Sequence, residues 1–427
     1  MKMGRKKSLF FSAALVGLSL LVNIRLNAQT IEKFGFHFQH QKTRQTTIPF
    51  DLVSNLIVIP VTVNEDTKLN FILDTGVRTA ILTDDLHVQG LPRKNDRLIQ
   101  LLGNGNKGKV EAFVSNGISM SLPGGVQSKT NAMLVLKEDY LKLDRHLGFR
   151  VHGILGYELF SRFVVEIDYY NKLLILHNPK RFKPRRRFRR IPITIEDTKP
   201  YISSELNVYD TCETAELKLM VDTGASHSLM LDRRTDSSLF VPERNIYGYL
   251  GRGLSGDIYG ALARINYIGL GDTDYGFEEV ITSFPEESSL THEIQTDAEE
   301  VKHGTIGGGM LKRFSVIFDY AGGYMYLNKN RRYRDPFTYN MSGLEFIVMG
   351  PMLRTIVVSE VAMGSPADEA GVLPGDMVLR ANHMSVPDLT LGYLGALMQT
   401  RPNKKIKLKL FRDGEVLKKK FRLEEVL

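Results

Sequence analysis

Two short stretches carry residues whose types and spacing suit a reaction: FILDTGVRTAIL, Phe71 to Leu82, and LMVDTGASHSLML, Leu219 to Leu231. Each sets Asp-Thr-Gly between apolar runs, and the two aspartates, Asp74 and Asp222, lie 148 positions apart. A carboxylate at a strand end, repeated in similar surroundings, supplies two acids that a pseudo-twofold axis can bring face to face. Carboxyls ~3 Å apart do not both ionise easily, so they share a proton over a broad acidic range. One then deprotonates a water while the other protonates a substrate carbonyl, and no metal, cofactor or covalent intermediate is required. Gly76 and Gly224 leave space for the backbone to turn, and Thr75 and Thr223 offer hydroxyls to brace the opposing loop.

Such a pair needs a duplicated scaffold, and the chain repeats further landmarks in register. With the Asp-Thr-Gly tripeptides aligned, LGNGNKG, Leu102 to Gly108, stands opposite LGRGLSG, Leu250 to Gly256. Gly103 and Gly251 each follow their aspartate by 29 residues, and Gly105 and Gly253 by 31. Beyond them HGILGYELFSRFVVEIDY, His152 to Tyr169, faces HGTIGGGMLKRFSVIFDY, His303 to Tyr320. Three landmarks in one order define two homologous units, residues 29–179 and 191–340, joined by a basic linker at 180–190. Short runs rich in Val, Ile, Leu, Phe and Tyr, separated by Gly, Asn, Asp and Pro, predict a mainly β fold.

Both glycine stretches also fit G-x-G-x-x-G. That fingerprint closes a strand and opens a helix, whereas the β-forming KVEAFV and DIYGAL follow these glycines. GNGNKGKV approaches a P-loop, but Val110 stands where a magnesium-binding hydroxyl belongs. Hairpin tips are the better reading, with Gly103, Gly105, Gly108, Gly251, Gly253 and Gly256 allowing tight turns and close approach of a substrate.

Bulk properties narrow the class. A chain of 427 residues has room for several cores, and its 43% apolar and 24% charged content is that of a globular protein. The net charge of +8 resides in KRFKPRRRFRR, Lys180 to Arg190, which holds eight basic residues; without it 48 basic residues balance 48 acidic ones. Charge confined to one segment reads as a solvated linker or docking patch, so no nucleic-acid partner is expected. Lys2, Arg5, Lys6 and Lys7 before the apolar stretch Leu9 to Val22, with Ala28 before Gln29, predict a signal peptide at residues 1–28. Export to a periplasmic or secreted location follows, with no stable membrane span after cleavage. Cys212, the single cysteine, rules out an intrachain disulfide.

At these residues, roughly Ile48 to Asn328, the chain resembles the aspartic proteases of the pepsin and retropepsin class. The resemblance implies two β-barrel lobes, a catalytic pair Asp74 and Asp222, and a polypeptide substrate under glycine-rich flaps. It also implies that ILG, Ile154 to Gly156, and TIG, Thr305 to Gly307, pass behind the active loops. Val77 and Ala225 stand where pepsin-like lobes carry a hydroxyl, which makes the loop retropepsin-like in detail. Arg78 either projects from the surface or lies near the dyad. His152, His227 and His303 read as packing residues, since the dyad uses no imidazole.

The last 87 residues, 341–427, resemble a PDZ domain of the bacterial protease type, through GSPADEAGVLPGDMVLRANHMSV and the later Arg-Asp-Gly. In that family an extended peptide joins a sheet edge while a loop, here near Ser342 to Phe346, holds its carboxylate through backbone amides. Gly343, Leu344 and Phe346 are the implied peptide-binding residues, and Glu345 replaces a common glycine. The combined expectation is an exported aspartic endopeptidase with a PDZ domain for peptide or partner docking. The alternative is a non-catalytic peptide-binding or scaffold protein that keeps the fold.

Overall fold

The computed structural model describes residues 35–84, 86, 88, 98–106, 108–208, 214–271, 273–290 and 301–427. The expected signal peptide at 1–28 and Cys212 lie outside the described residues. The protein is mainly β, and the strands form where the sequence alternates or sustains branched apolar residues. Leu56–Val63, LIVIPVTV, is buried at nearly every position, as befits a strand covered on both faces.

The duplication extends to the whole strand order. Each strand from Gln45–Pro49 through Leu173–His177 has a counterpart, in the same order, from Arg189–Pro192 through Tyr324–Lys329. In the first unit Thr67–Leu73 runs parallel to Gly153–Leu155, pairing Phe71 with Gly153 and Leu73 with Leu155. In the second Ala215–Val221 runs parallel to Gly304–Ile306, pairing Leu219 with Gly304 and Val221 with Ile306. Parallel pairs inside otherwise largely antiparallel sheets aim both strand ends at one place, and each Asp-Thr-Gly follows such an end.

A six-stranded antiparallel sheet joins the units. At its centre Val164–Asp168 pairs with Phe314–Asp319, Val165 opposite Phe318 and Asp168 opposite Ser315. Phe160 meets Phe318 edge-on at 5.4 Å and stacks on Tyr320 at 5.4 Å, so an aromatic cluster lies at this seam. The basic segment packs against the same sheet. Buried Glu166 accepts from His177 Nε2 at 2.9 Å and pairs with Arg185. Phe188 enters a cluster with Val164, Ile317 and Tyr326, and the Arg190 guanidinium sits 4.4 Å over the Tyr324 ring.

The C-terminal module is a second kind of sheet, ordered Leu344–Met349, Thr355–Val361, Met377–Ala381, Lys405–Arg412 and Glu415–Arg422. In Lys405–Arg412 the lysines point outward while Ile406, Leu408 and Leu410 are buried, the period of two that a half-buried strand requires. Thr390 caps the helix Leu391–Met398 by accepting from Tyr393 N at 3.1 Å. Among the described residues no helix is long and apolar enough to cross a membrane.

Candidate active site

The two Asp-Thr-Gly loops meet. Leu155 O accepts from Asp74 N at 2.9 Å, and Ile306 O accepts from Asp222 N at 2.8 Å, so each aspartate is fixed as the strand leaves its parallel partner. Thr75 and Thr223 then cross-brace the loops. Thr75 N donates to Thr223 Oγ1 at 3.1 Å and Thr223 N to Thr75 Oγ1 at 3.0 Å. Their hydroxyls donate onward to Val221 O at 2.7 Å and Leu73 O at 2.8 Å. Both threonines are buried, so every one of these polar groups depends on its partner.

Space beside the carboxyls is closed to a Cβ at position 224 and tight at position 76. A Cβ at position 224 would lie 2.2 Å from Asp74 Cγ, and one at 76 would lie 3.0 Å from Asp74 Oδ1 and 3.3 Å from Asp222 Oδ2. Gly76 N donates to Asp74 Oδ1 at 2.6 Å, and Gly224 N to Asp222 Oδ1 at 2.8 Å. The ILG and TIG segments run behind these loops: a Cβ at Gly156 would lie 2.1 Å from Asp74 O, and one at Gly307 2.4 Å from His227 O.

Burial pushes the Asp74 carboxyl well above the usual carboxylate range, and the neighbouring Asp222, to which it is also hydrogen-bonded, pushes it in the same direction. The Gly76 amide opposes both. Burial and a second carboxyl this close both favour one proton held by the pair. Tyr169 and Tyr320, equivalent residues of the two units, lie within the field of the pair, Tyr169 of Asp222 and Tyr320 of both, and their buried hydroxyls have no partner among the described residues. His227 is also enclosed, with Nε2 unpartnered, and burial lowers its imidazole to about 4 against the opposing charge of Asp222. His152 and His303 use Nδ1 to accept backbone N–H groups of Asn70 at 3.0 Å and Lys218 at 3.1 Å. Arg78 projects outward, 72% exposed and 3.4 Å from Asp197 Oδ1.

The glycine stretches are hairpin connections with strands after them, Val110–Leu122 and Gly256–Gly269. Their tips touch one another. Ser255 N donates to Asn104 O at 3.0 Å, Asn106 N to Asp257 O at 3.2 Å, and Gly105 N to Ser289 O at 2.9 Å. A Cβ at Gly105 would lie 2.3 Å from Gly256 N, one at Gly253 2.1 Å from Asn104 O, and one at Gly103 2.6 Å from Leu254 Cβ. Gly105, Gly108, Gly251 and Gly256 have positive φ, but Cβ positions at Gly108 and Gly251 meet nothing within 4 Å. Leu254, at the tip of the second hairpin, packs against a buried cluster of the first unit that contains Ile72 and Ile154. No residue pattern within one unit signals that crossing.

No group of three or more His, Cys, Asp or Glu side chains among the described residues is placed to hold a metal ion. The comparisons speak to the C-terminal module: residues 330–423 match the family model for the PDZ domain. This module is a PDZ domain. No curated protein matches the chain. The match begins before residue 341, and the intervening chain is tied to the PDZ domain by Tyr339 Oη, which accepts from Val426 N at 2.7 Å and Leu427 N at 2.9 Å.

Within the PDZ domain Gly343 has φ +76° and its carbonyl accepts from Ala362 N at 2.8 Å. Leu344 is fully buried and donates its amide to Ser342 Oγ at 3.1 Å, while Phe346 packs partly against the core. Burial pushes the Glu345 carboxyl up to about 7, opposed by Asn340 and reinforced by Glu360. The edge strand Leu344–Met349 packs against the short helix Leu143–Leu147 of the first unit, and a Cβ at Gly148 would lie 3.3 Å from Leu391 Cδ1. On the second unit Tyr259 Oη donates to Glu360 Oε1 at 2.6 Å, so the PDZ domain reaches a strand of the second hairpin.

Proposed function

We propose that the protein is an aspartic endopeptidase whose two lobes, residues 29–179 and 191–340, supply one carboxyl each. The observation that carries this reading is the Asp74–Asp222 pair, whose loops are held together by reciprocal threonine bonds. A water between the carboxyls attacks the scissile carbonyl carbon and gives its proton to the ionised member of the pair, while the protonated member protonates the carbonyl oxygen. The resulting gem-diol collapses, the C–N bond breaks, and a proton passes to the departing amine. The hairpin tips cover the peptide and must part to admit it. The enzyme works outside the cytoplasm after removal of residues 1–28.

The PDZ domain docks peptide or partner segments and provides no chemical group. Its docking increases the local concentration of protein substrates at the cleft. The reading is tested by incubating unfolded casein with the protein, with and without a statine-containing peptide that mimics the gem-diol. Cleavage that the statine peptide abolishes and a chelator leaves intact supports it. Cleavage indifferent to the statine peptide, or no cleavage between pH 4 and 7, overturns it.

A further inference from the structure

Beside the two aspartates, equivalent rows of the two units are built on one plan from different chemistry. In the first unit, Val58, Ile72 and Ile154 are neighbours across adjacent strands, and in the second the same row is Tyr201, Met220 and Thr305. Ile72 and Met220 each precede the aspartate by two positions, so in an extended strand they share the face from which that carboxyl projects. Leu254 of the second hairpin packs against the buried cluster that contains this row.

The first wall is aliphatic throughout, with Val151, Ile154 and Val77 added to Val58 and Ile72. The second substitutes Lys302 for Val151 and Thr305 for Ile154. Thr305 is 1% exposed and its Oγ1 has no partner among the described residues. Lys302 keeps solvent access, and its Nζ lies 3.9 Å from Met220 Sδ; among the described residues no ion pair within 4 Å is formed by it. The groups acting on that ammonium are Asp222, Lys199 and Asp232, and the surrounding protein desolvates it. The duplicated row thus exchanges two aliphatic side chains for an ammonium and a hydroxyl that have no hydrogen-bonding oxygen or carboxylate partner among the described residues, a pairing suited to an anion.

We propose that Lys302 and Thr305 form a subsite for an acidic side chain of the substrate, so that the enzyme cuts peptides carrying an aliphatic residue on one side of the scissile bond and Asp or Glu on the other. The inference rests on the peptidase reading of the dyad. In it, the Lys302 ammonium pairs with the carboxylate and the Thr305 hydroxyl donates to it, a charge-assisted contact stronger than one between neutral groups. Lys199 helps offset the negative charge of the dyad.

The test uses matched peptides that differ by Glu against Gln, or Asp against Asn, at each position flanking an aliphatic residue. The full chain should favour the acidic member about tenfold in kcat/KM. In Lys302→Met that ratio should fall to about one, Lys302→Arg should retain most of it, and Thr305→Val should reduce it. A ratio near one in the unaltered protein, or a ratio that Lys302→Met leaves in place, overturns the subsite. Fluorescence anisotropy of the same labelled peptides on Asp74→Asn reads the subsite without turnover. Acidic preference in binding with no cleavage by the unaltered protein would sink the peptidase reading alone; absence of preference there would sink the subsite alone.

Discussion

Thr75 and Thr223 hold each other: each backbone N–H donates to the other's hydroxyl, at 3.1 and 3.0 Å. This reciprocity makes the two units one site, because neither loop can shift without breaking bonds in both. Replacing either threonine with valine removes a buried hydroxyl and orphans an amide, a loss of about 1–3 kcal/mol. Urea midpoints should fall similarly for Thr75→Val and Thr223→Val. The two substitutions remove different bonds, yet each frees both loops, so the double variant should lose less than the sum because the second set of bonds holds loops already loosened by the first change. Strict additivity would show that the loops are held independently.

The glycines beside the carboxyls are predicted to differ in tolerance. Gly224→Ala drives its Cβ onto Asp74 Cγ at 2.2 Å, whereas the Gly76 position leaves 3.0 Å to Asp74 Oδ1. Gly224→Ala should therefore reduce turnover of casein more than a hundredfold and Gly76→Ala distinctly less, with circular dichroism unchanged in both. Equal rates in the two variants would contradict the asymmetric placement of the carboxyls.

At the flaps, Gly105→Val and Gly253→Val should force the touching tips apart, since each new Cβ would lie within 2.3 Å of backbone atoms of the other hairpin. Turnover should fall while the thermal midpoint shifts little, as these tips lie outside the main cores. Gly251→Ala, with open space around it, should be milder despite its positive φ. If Gly251→Ala is as damaging as Gly105→Val, backbone strain rather than tip contact governs the flaps.

Two titrating groups give opposite slopes of stability with pH. Burial lowers His227 to about 4, so between pH 4 and 6.5 the unfolded chain binds more protons and stability rises with pH, by on the order of 2 kcal/mol. His227→Gln should flatten that rise. Glu345 is raised to about 7, so its contribution is present at acid pH and is lost as pH rises through 7. Glu345→Gln should accordingly stabilise the protein at pH 8 relative to pH 5. Denaturant midpoints across pH 4–8 check both signs.

Much of the site was legible from spacing alone. Asp74, Asp222 and their glycines announced themselves because duplication preserves local requirements: a carboxyl, a hydroxyl and a residue without a side chain, in fixed order. What depended on distant partners was hidden. Nothing local in Val165 or Phe318 says that they are neighbours across the joining sheet, and nothing in Leu254 says that it crosses to the opposite wall. The basic run was expected to be solvated, but Arg185 and Phe188 find Glu166 and an apolar cluster only after both units have folded. Lys302 had a signal that could have been read, since the His-Gly landmark aligns it with Val151.

The most direct measurement is the rate of peptide-bond hydrolysis by Asp74→Asn and Asp222→Asn against the unaltered protein, on one unfolded substrate across pH 4–7. Each amide preserves the shape of the side chain and removes one partner from the proton exchange, so each variant should lose at least a thousandfold in kcat while keeping its fold. Either folded variant cleaving at a rate close to that of the unaltered protein would contradict the dyad.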